Sequence, residues 1–256
     1  MSTTSYINRG LTKAFCLLQC IILIVFSVAA QDSLKTRKKW NFVVEPYLMF
    51  PNLNGTIGVG TLPDTKLDAD PGDVFSHMKI AAILYLEMAS DKWAFTSDLI
   101  YMNLDENATP DKFINSGDVN FKQFSWEVAG LARVLPWLEA GIGGRLNNLK
   151  ASADLVTNTI GGGTNFRSKS ISHTWLDPII IARINSKSDK KFIYQFRGDL
   201  GGFGIGSDFV WQLQAYAGYR FSKLFQLTGG YKIISIDYQN GSDESRLLYD
   251  VNTFGL

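Results

Sequence analysis

Cysteine, histidine and a surplus of charge are what this chain has least of. Its only two cysteines, Cys16 and Cys20, both lie inside one apolar run near the N-terminus. A chain that loses that run keeps no thiol, which excludes a disulfide framework and a cysteine metal site. Lipidation at Cys20 is disfavoured because Gln19, not a small residue, precedes it. Charge is almost balanced, with 25 Lys plus Arg against 24 Asp plus Glu. The one tight basic cluster is Lys35, Arg37, Lys38 and Lys39. Nucleic-acid binding, which needs a basic stripe or patch to neutralise phosphates, is therefore not expected. Long amphipathic helical patterns are also missing.

What is present begins with a targeting pattern. Arg9 and Lys13 precede the apolar run 15–28, and Val28-Ala29-Ala30 supplies the small residues of a cleavage site. Residues 1–30 are thus expected to be a signal peptide, 31–39 a basic linker, and 40–256 the folded domain. The competing expectation is an uncleaved helical anchor, since about seventeen apolar residues sit at the lower limit for a span. The basic cluster after the run favours that alternative, because it opposes the usual orientation of an exported tail.

From Trp40 onward apolar and polar residues alternate with period two, the mark of strands with two unlike faces. Strands are expected at 40–50, 77–88, 93–103, 120–134, 137–149, 173–184, 192–200, 209–221 and 225–238, with a last one from about 247. The eighth is the clearest: Phe209, Trp211, Leu213, Ala215, Ala217, Tyr219 and Phe221 alternate with Gln212, Gln214, Tyr216 and Arg220. Short connections alternate with longer ones at 51–76, 105–119, 150–172, 203–208 and 239–246. Within the first long loop, 52–60 forms an arm outside the wall, followed by a helical turn near 73–76.

Ten alternating strands joined by alternating short turns and long loops predict an all-β, transmembrane, antiparallel up-and-down β-barrel. Bulk decides which face points in. The lumen of a small barrel has no room for so many Trp, Phe, Tyr and Leu side chains, whereas a lipid-facing band does. Trp40, Trp93, Trp137, Trp175, Tyr219, Phe221 and Tyr231 are expected in aromatic girdles near the strand ends. Only helices and closed barrels satisfy their backbone hydrogen bonds in lipid. With an export signal, this points to the outer membrane.

Specific stretches carry a resemblance. They are Glu45-Pro46-Tyr47-Leu48, Gly55-Thr56-Ile57-Gly58-Val59-Gly60, Trp175-Leu176-Asp177-Pro178, and Arg197-Gly198-Asp199-Leu200-Gly201-Gly202-Phe203-Gly204 running on to Gly218-Tyr219-Arg220-Phe221. In these the chain resembles the small porin-like outer-membrane β-barrel proteins of Gram-negative bacteria. The resemblance implies an outer-membrane barrel with membrane lipid and the barrel-assembly machinery as partners. It implies no substrate, cofactor or catalytic residue. Barrels of this type usually end on a terminal aromatic, whereas this chain reads Phe254-Gly255-Leu256.

The polar face collects Glu45, Lys79, Glu87, Asp98, Glu127, Arg133, Glu139, Arg145, Asp177, Arg183, Arg197, Asp199, Arg220 and Lys232 as candidate lumen-lining residues. They line a narrow hydrophilic pore or pair into a network that fills the lumen. The protein is expected to be non-enzymatic, a narrow pore or a scaffold presenting its loops. The alternatives are an outer-membrane barrel enzyme acting on lipid and a secreted soluble β-barrel binding protein. Ser172, His173 and Asp177 are close in sequence, but strand parity puts Ser172 on the opposite face from the other two. Asp64, Asp68, Asp70 and Asp73 lack a calcium-loop spacing and are expected to be solvated, so no metal is expected. The glycines at 202, 204 and 206 join two strands and suit a hairpin better than a phosphate cradle. Asn54-Gly55-Thr56, Asn107-Ala108-Thr109 and Asn240-Gly241-Ser242 are expected to be turns. Oligomeric state is left open.

Overall fold

The structure, a computed structural model, describes residues 40–61, 64–107, 114–158, 163–186, 190–222 and 225–256. The expected signal peptide and basic linker lie outside the described residues. Trp40–Leu256 forms one compact unit. Its elements in chain order are β1 (Asn41–Pro46), β2 (Pro51–Val59), β3 (Thr65–Ala69), α1 (Pro71–Ser76), β4 (Met78–Ala89), β5 (Trp93–Asn107) and β6 (Ile114–Leu135). They continue with β7 (Leu138–Asn158), β8 (Thr164–Asn185), β9 (Phe192–Gly201), β10 (Phe209–Arg220), β11 (Gln226–Asn240), a 3-10 turn (Asp243–Ser245) and β12 (Leu247–Gly255).

All the strands belong to one antiparallel sheet in the order β1-β4-β5-β6-β7-β8-β9-β10-β11-β12-β2-β3. From β4 to β12 each strand pairs with the next in sequence, the up-and-down pattern, and the sheet curves into a half-barrel. Period-two alternation becomes two faces of this sheet. Along β8, His173, Trp175, Asp177, Ile179, Ile181 and Arg183 point to the concave face, while Leu176, Ile180 and Ile184 on the convex face are exposed. The convex face is apolar and open, and the concave face is packed and partly charged.

The concave interior combines one apolar cluster with buried charged groups. Toward the long-strand end that cluster contains Leu149, Trp175, Val210, Ile236, Tyr238, Leu247, Tyr249 and Val251. Trp175 and Tyr238 stack there with centroids 3.8 Å apart and planes 13° apart, worth about 0.5–1.5 kcal/mol beyond the area buried. The same cluster runs on toward the short-turn end through Ile179, Ile181, Ala129, Leu131 and Ala94, where it meets buried charged residues such as Glu139 and Arg183. A smaller cluster of Leu53, Val74 and Met102 seats α1. Asp70 caps α1: its side chain accepts from the Asp73 backbone N–H at 2.9 Å, and Asp73 Oδ2 accepts from the Asp70 N–H at 3.2 Å. Pro71 then starts the helix at the position where a missing N–H costs nothing.

Several expectations need correction. The sheet has twelve strands, not ten, because the arm expected outside the wall is β2, which pairs with β12 from Pro51↔Gly255 to Val59↔Leu247. β3 then pairs with the other edge of β2. The loops expected at 105–119 and 150–172 are largely strand: β5–β8 run through them, and β6 pairs with β7 as far as Ile114↔Thr157. Polar residues occupy both faces of these extensions, so the alternation fades while the backbone ladder continues. Lys79 is not on the charged face. A register shift between Met78 and Ile80 adds one residue, which flips the side-chain parity. Lys79 instead pairs with Asp105 at 2.6 Å, its side chain 57% exposed.

Further corrections concern single residues. Trp175, expected in a girdle near a strand end, is buried on the concave face. Asn54 lies within β2 rather than in a turn. Asn240 does make one, with its Oδ1 accepting from the Gly241 N–H at 2.6 Å and Gly241 at φ +81°. Asn107-Ala108-Thr109 runs into residues outside the described ones.

Candidate functional site

Strand parity brings the charged residues of the concave face together in three groups. The central one is a quartet from three strands: Glu127 of β6, Arg145 of β7, and Arg197 and Asp199 of β9. Arg145 Nη2 donates to Glu127 Oε2 at 2.6 Å, to Asp199 Oδ1 at 3.0 Å and to Gln212 Oε1 at 3.3 Å. Arg197 Nη2 donates to Glu127 Oε1 at 2.5 Å and lies 3.0 Å from Asp199 Oδ2. That last contact is an ion pair by distance only, since its angle leaves Asp199 Oδ2 without a hydrogen bond. The quartet has two charges of each sign and is almost completely buried. Pairing is what allows four charges to persist out of water.

A second group lies toward the short-turn end and is centred on Arg183 of β8. Its guanidinium donates to Glu87 at 2.6 and 3.2 Å, to Glu139 at 2.6 and 2.8 Å, and to the Tyr85 hydroxyl at 3.0 Å. Tyr85 in turn donates to Glu87 at 2.5 Å. Glu139 also accepts from Arg133 at 2.8 Å and from Asn185 at 2.9 Å. These bonds join β4 to β8, four strands apart along the sheet, so they cross the concavity.

The third group links β11 to the other side of the concavity. Lys232 donates to Asp98 Oδ2 of β5 at 3.0 Å, and the Tyr47 hydroxyl donates to the same carboxylate at 3.0 Å. Glu45 of β1 accepts from Thr228 of β11. Arg220 stands near the end of β10, where its guanidinium donates to Gln226 at 3.2 Å.

Asp177 is fully buried, and its partners among the described residues are all neutral donors. It accepts from the Ser207 N–H at 2.6 Å, the Ser207 hydroxyl at 3.0 Å, Trp175 Nε1 at 3.0 Å and Asn147 Nδ2 at 2.9 Å. Four donors on one carboxylate compensate its burial without a cation. The β9–β10 hairpin must fold inward to deliver Ser207. The turn uses left-handed φ at Gly202, Phe203 and Gly204. At Gly206 an added Cβ would lie 2.5 Å from the Leu176 carbonyl oxygen and 2.6 Å from Asp177 Oδ1.

Ser172, His173 and Asp177 are not brought together. Asn148 Nδ2 donates to the Ser172 hydroxyl at 3.2 Å on the convex face. On the concave side His173 contacts the Ser245 carbonyl oxygen at 2.8 Å and the Tyr238 hydroxyl at 3.3 Å. Three of the four acidic residues are also otherwise engaged, and Asp68 is exposed on β3. Asp70 and Asp73 cap α1, and Asp64 forms a two-point pair with Arg246 at 2.7 and 3.0 Å. The Arg246 guanidinium beside Asp64 holds its carboxyl below the usual range, and Lys169 does the same for Glu244.

Sequence reasoning missed Gln212, Asn147, Ser207, Tyr47 and Tyr85 as members of these networks. Gln212, Asn147 and Tyr85 lie on the polar parity of their strands, and Tyr47, just past the end of β1, continues that of Glu45, so the signal was available for neutral polar residues too. Ser207 sits in a hairpin, where parity says nothing. No family model matches the chain, and no curated protein matches it.

Proposed function

We propose that the chain is an exported, non-enzymatic β-barrel of the bacterial outer membrane, closed across its bore and acting through the surface it presents at the long-strand end. Twelve strands fill ten positions in such a wall. β1 and β2 stand at opposite ends of the sheet order, yet only residues 47–50 separate them, so Pro46 and Pro51 are at most about 18 Å apart. They are one wall strand interrupted by a bend. β3 and β4, separated by α1, are likewise a second, and the sheet then closes on itself.

The convex face supports lipid contact. On β8 it is apolar from Leu176 to Ile184, about 26 Å of strand at roughly 3.3 Å per residue. Tilted by about 40°, that is about 20 Å, near the height of a barrel's outward apolar band. Trp93, Phe95, Trp126, Trp137, Phe192, Phe196, Phe209, Leu213, Tyr219 and Phe221 are all exposed. For a protein in water this would be a large unprotected apolar surface.

The observation that carries the closed bore is the crossing of the concavity by Arg183–Glu87 and Lys232–Asp98, with the Arg145–Arg197 quartet beside them. Salt bridges fill the space that an open pore would leave to water. The test is twofold. The unheated, detergent-extracted protein is expected to migrate faster on a gel than the heated one and to fractionate with the outer membrane. In planar bilayers it is expected to be electrically silent. A second reading, a narrow hydrated pore, is favoured by Arg145 Nη1, Arg197 Nε, Gln212 Nε2 and Asp199 Oδ2, buried polar atoms with no hydrogen bond, which invite ordered water. Steady conductance that changes on substituting Arg197 or Asp199 selects that reading and rejects the closed bore.

A further inference from the structure

On the convex face, Lys122 of β6 and Lys150 of β7 are direct cross-strand partners. Like charges opposed in this way repel and destabilise a sheet. Among the described residues neither lysine forms an ion pair. Asp105 of β5 interacts with Lys122 through charge at a distance, but in direct contact it is held by Lys79 at 2.6 Å and by Asn120 at 3.2 Å. A sheet elsewhere so thoroughly paired thus leaves two ammonium groups side by side.

Their height on the wall is specific. One pair further down, Phe124 opposes Asn148, and below that Trp126 opposes Leu146 and Leu146 opposes Leu176. The two lysines therefore stand about 7 Å above the last aromatic of the apolar band, at two residues per step. Asn148 Nδ2 donates to the hydroxyls of Thr174 at 2.7 Å and Ser172 at 3.2 Å, and Ser172 is the β8 partner of Lys150. Amide and hydroxyl groups of Asn148 and Thr174 thus stand one step below the lysine pair, level with Phe124, and Ser172 is level with Lys150. This is the level at which lipid phosphates sit, and long cationic side chains reach it while their stems stay on apolar surface.

We propose that Lys122 and Lys150, with the Ser172 hydroxyl beside Lys150 and the Thr174 hydroxyl one step below, form a site for the phosphate of an anionic lipid headgroup. A phosphate between the two ammonium groups converts their repulsion into two charge-assisted contacts. The site rests on the membrane-barrel reading above.

The test uses the full chain with phosphatidylglycerol as the anionic probe and phosphatidylcholine as its zwitterionic control. Native mass spectrometry is expected to show preferential retention of phosphatidylglycerol, falling about five-fold for each of Lys122→Gln and Lys150→Gln at low ionic strength. Lys190→Gln and Lys191→Gln, at the opposite end of the strands, are expected to leave it unchanged. Stability gives a second readout with a change of sign. Lys150→Gln is expected to stabilise the protein in phosphatidylcholine vesicles by relieving repulsion and to destabilise it in phosphatidylglycerol vesicles. Equal retention by the wild type and the double variant, in protein that still shows the heat-dependent gel shift, overturns the site and leaves the barrel standing. Failure to insert into either vesicle overturns both.

Discussion

Replacing Arg145 by methionine keeps much of the side-chain length and removes one of the two cations in the central quartet. Arg145 is 2% exposed and serves Glu127, Asp199 and Gln212 together. Without it Glu127 and Asp199 share Arg197 alone, and the buried group carries a net negative charge. Removing one partner of a buried ion pair costs about 3–5 kcal/mol, and that is the loss expected in urea unfolding from vesicles. It is followed by tryptophan fluorescence and by the fraction of heat-sensitive gel band. Adding Glu127→Gln to Arg145→Met restores neutrality and leaves the Arg197–Asp199 pair. The double variant is therefore expected to be more stable than the single one, with a coupling of about 2–3 kcal/mol. A single-variant loss under about 1 kcal/mol, the range of exposed pairs, or strict additivity of the two changes, would refute the buried quartet.

Ser207→Ala removes one of the four donors to Asp177 and is expected to cost about 1–3 kcal/mol in the same titration. Gly206→Ala is expected to cost at least as much, because its Cβ meets the Leu176 carbonyl and the Asp177 carboxylate; an unchanged midpoint would contradict the inward fold of the hairpin. The Asp64–Arg246 contact gives a pH dependence with a definite sign. Arg246 depresses the folded-state pKa of Asp64, so the contact contributes above the ordinary carboxylate pKa of about 4 and is lost as pH falls through the lower folded value. Limited proteolysis of the 60–76 arm is expected to accelerate below that pH. Asp64→Asn is expected to show the faster cleavage already at neutral pH, with its acid dependence diminished.

Much of the fold was legible because strand faces follow parity. Gln212 and Gln214 alternate with Leu213 and Ala215, and the structure keeps each on the face its parity assigns. The same rule placed Glu127, Arg145, Asp177, Arg183, Arg197 and Asp199 on one side of the sheet. It failed at Lys79, where one added residue reversed the faces, and at the β2 arm, whose partner β12 is almost two hundred residues away. The extensions of β6–β8 were missed for a different reason. Ser152, Lys169 and Ser170 carry no apolar contrast, so a ladder held by backbone bonds leaves no periodic mark. Trp175 was misplaced by a rule about aromatic girdles, although its parity with Asp177 already pointed inward.

The sequence by itself determined the class of element, the unlike faces of each strand and the balance of charges on the concave side, because these depend only on local periodicity and composition. Only the tertiary structure decided which carboxylate each arginine holds, that Asp177 is stabilised by neutral donors, and that Lys122 is set opposite Lys150. Those relations depend on register and on curvature across the sheet, and both are set by contacts between residues far apart in the chain.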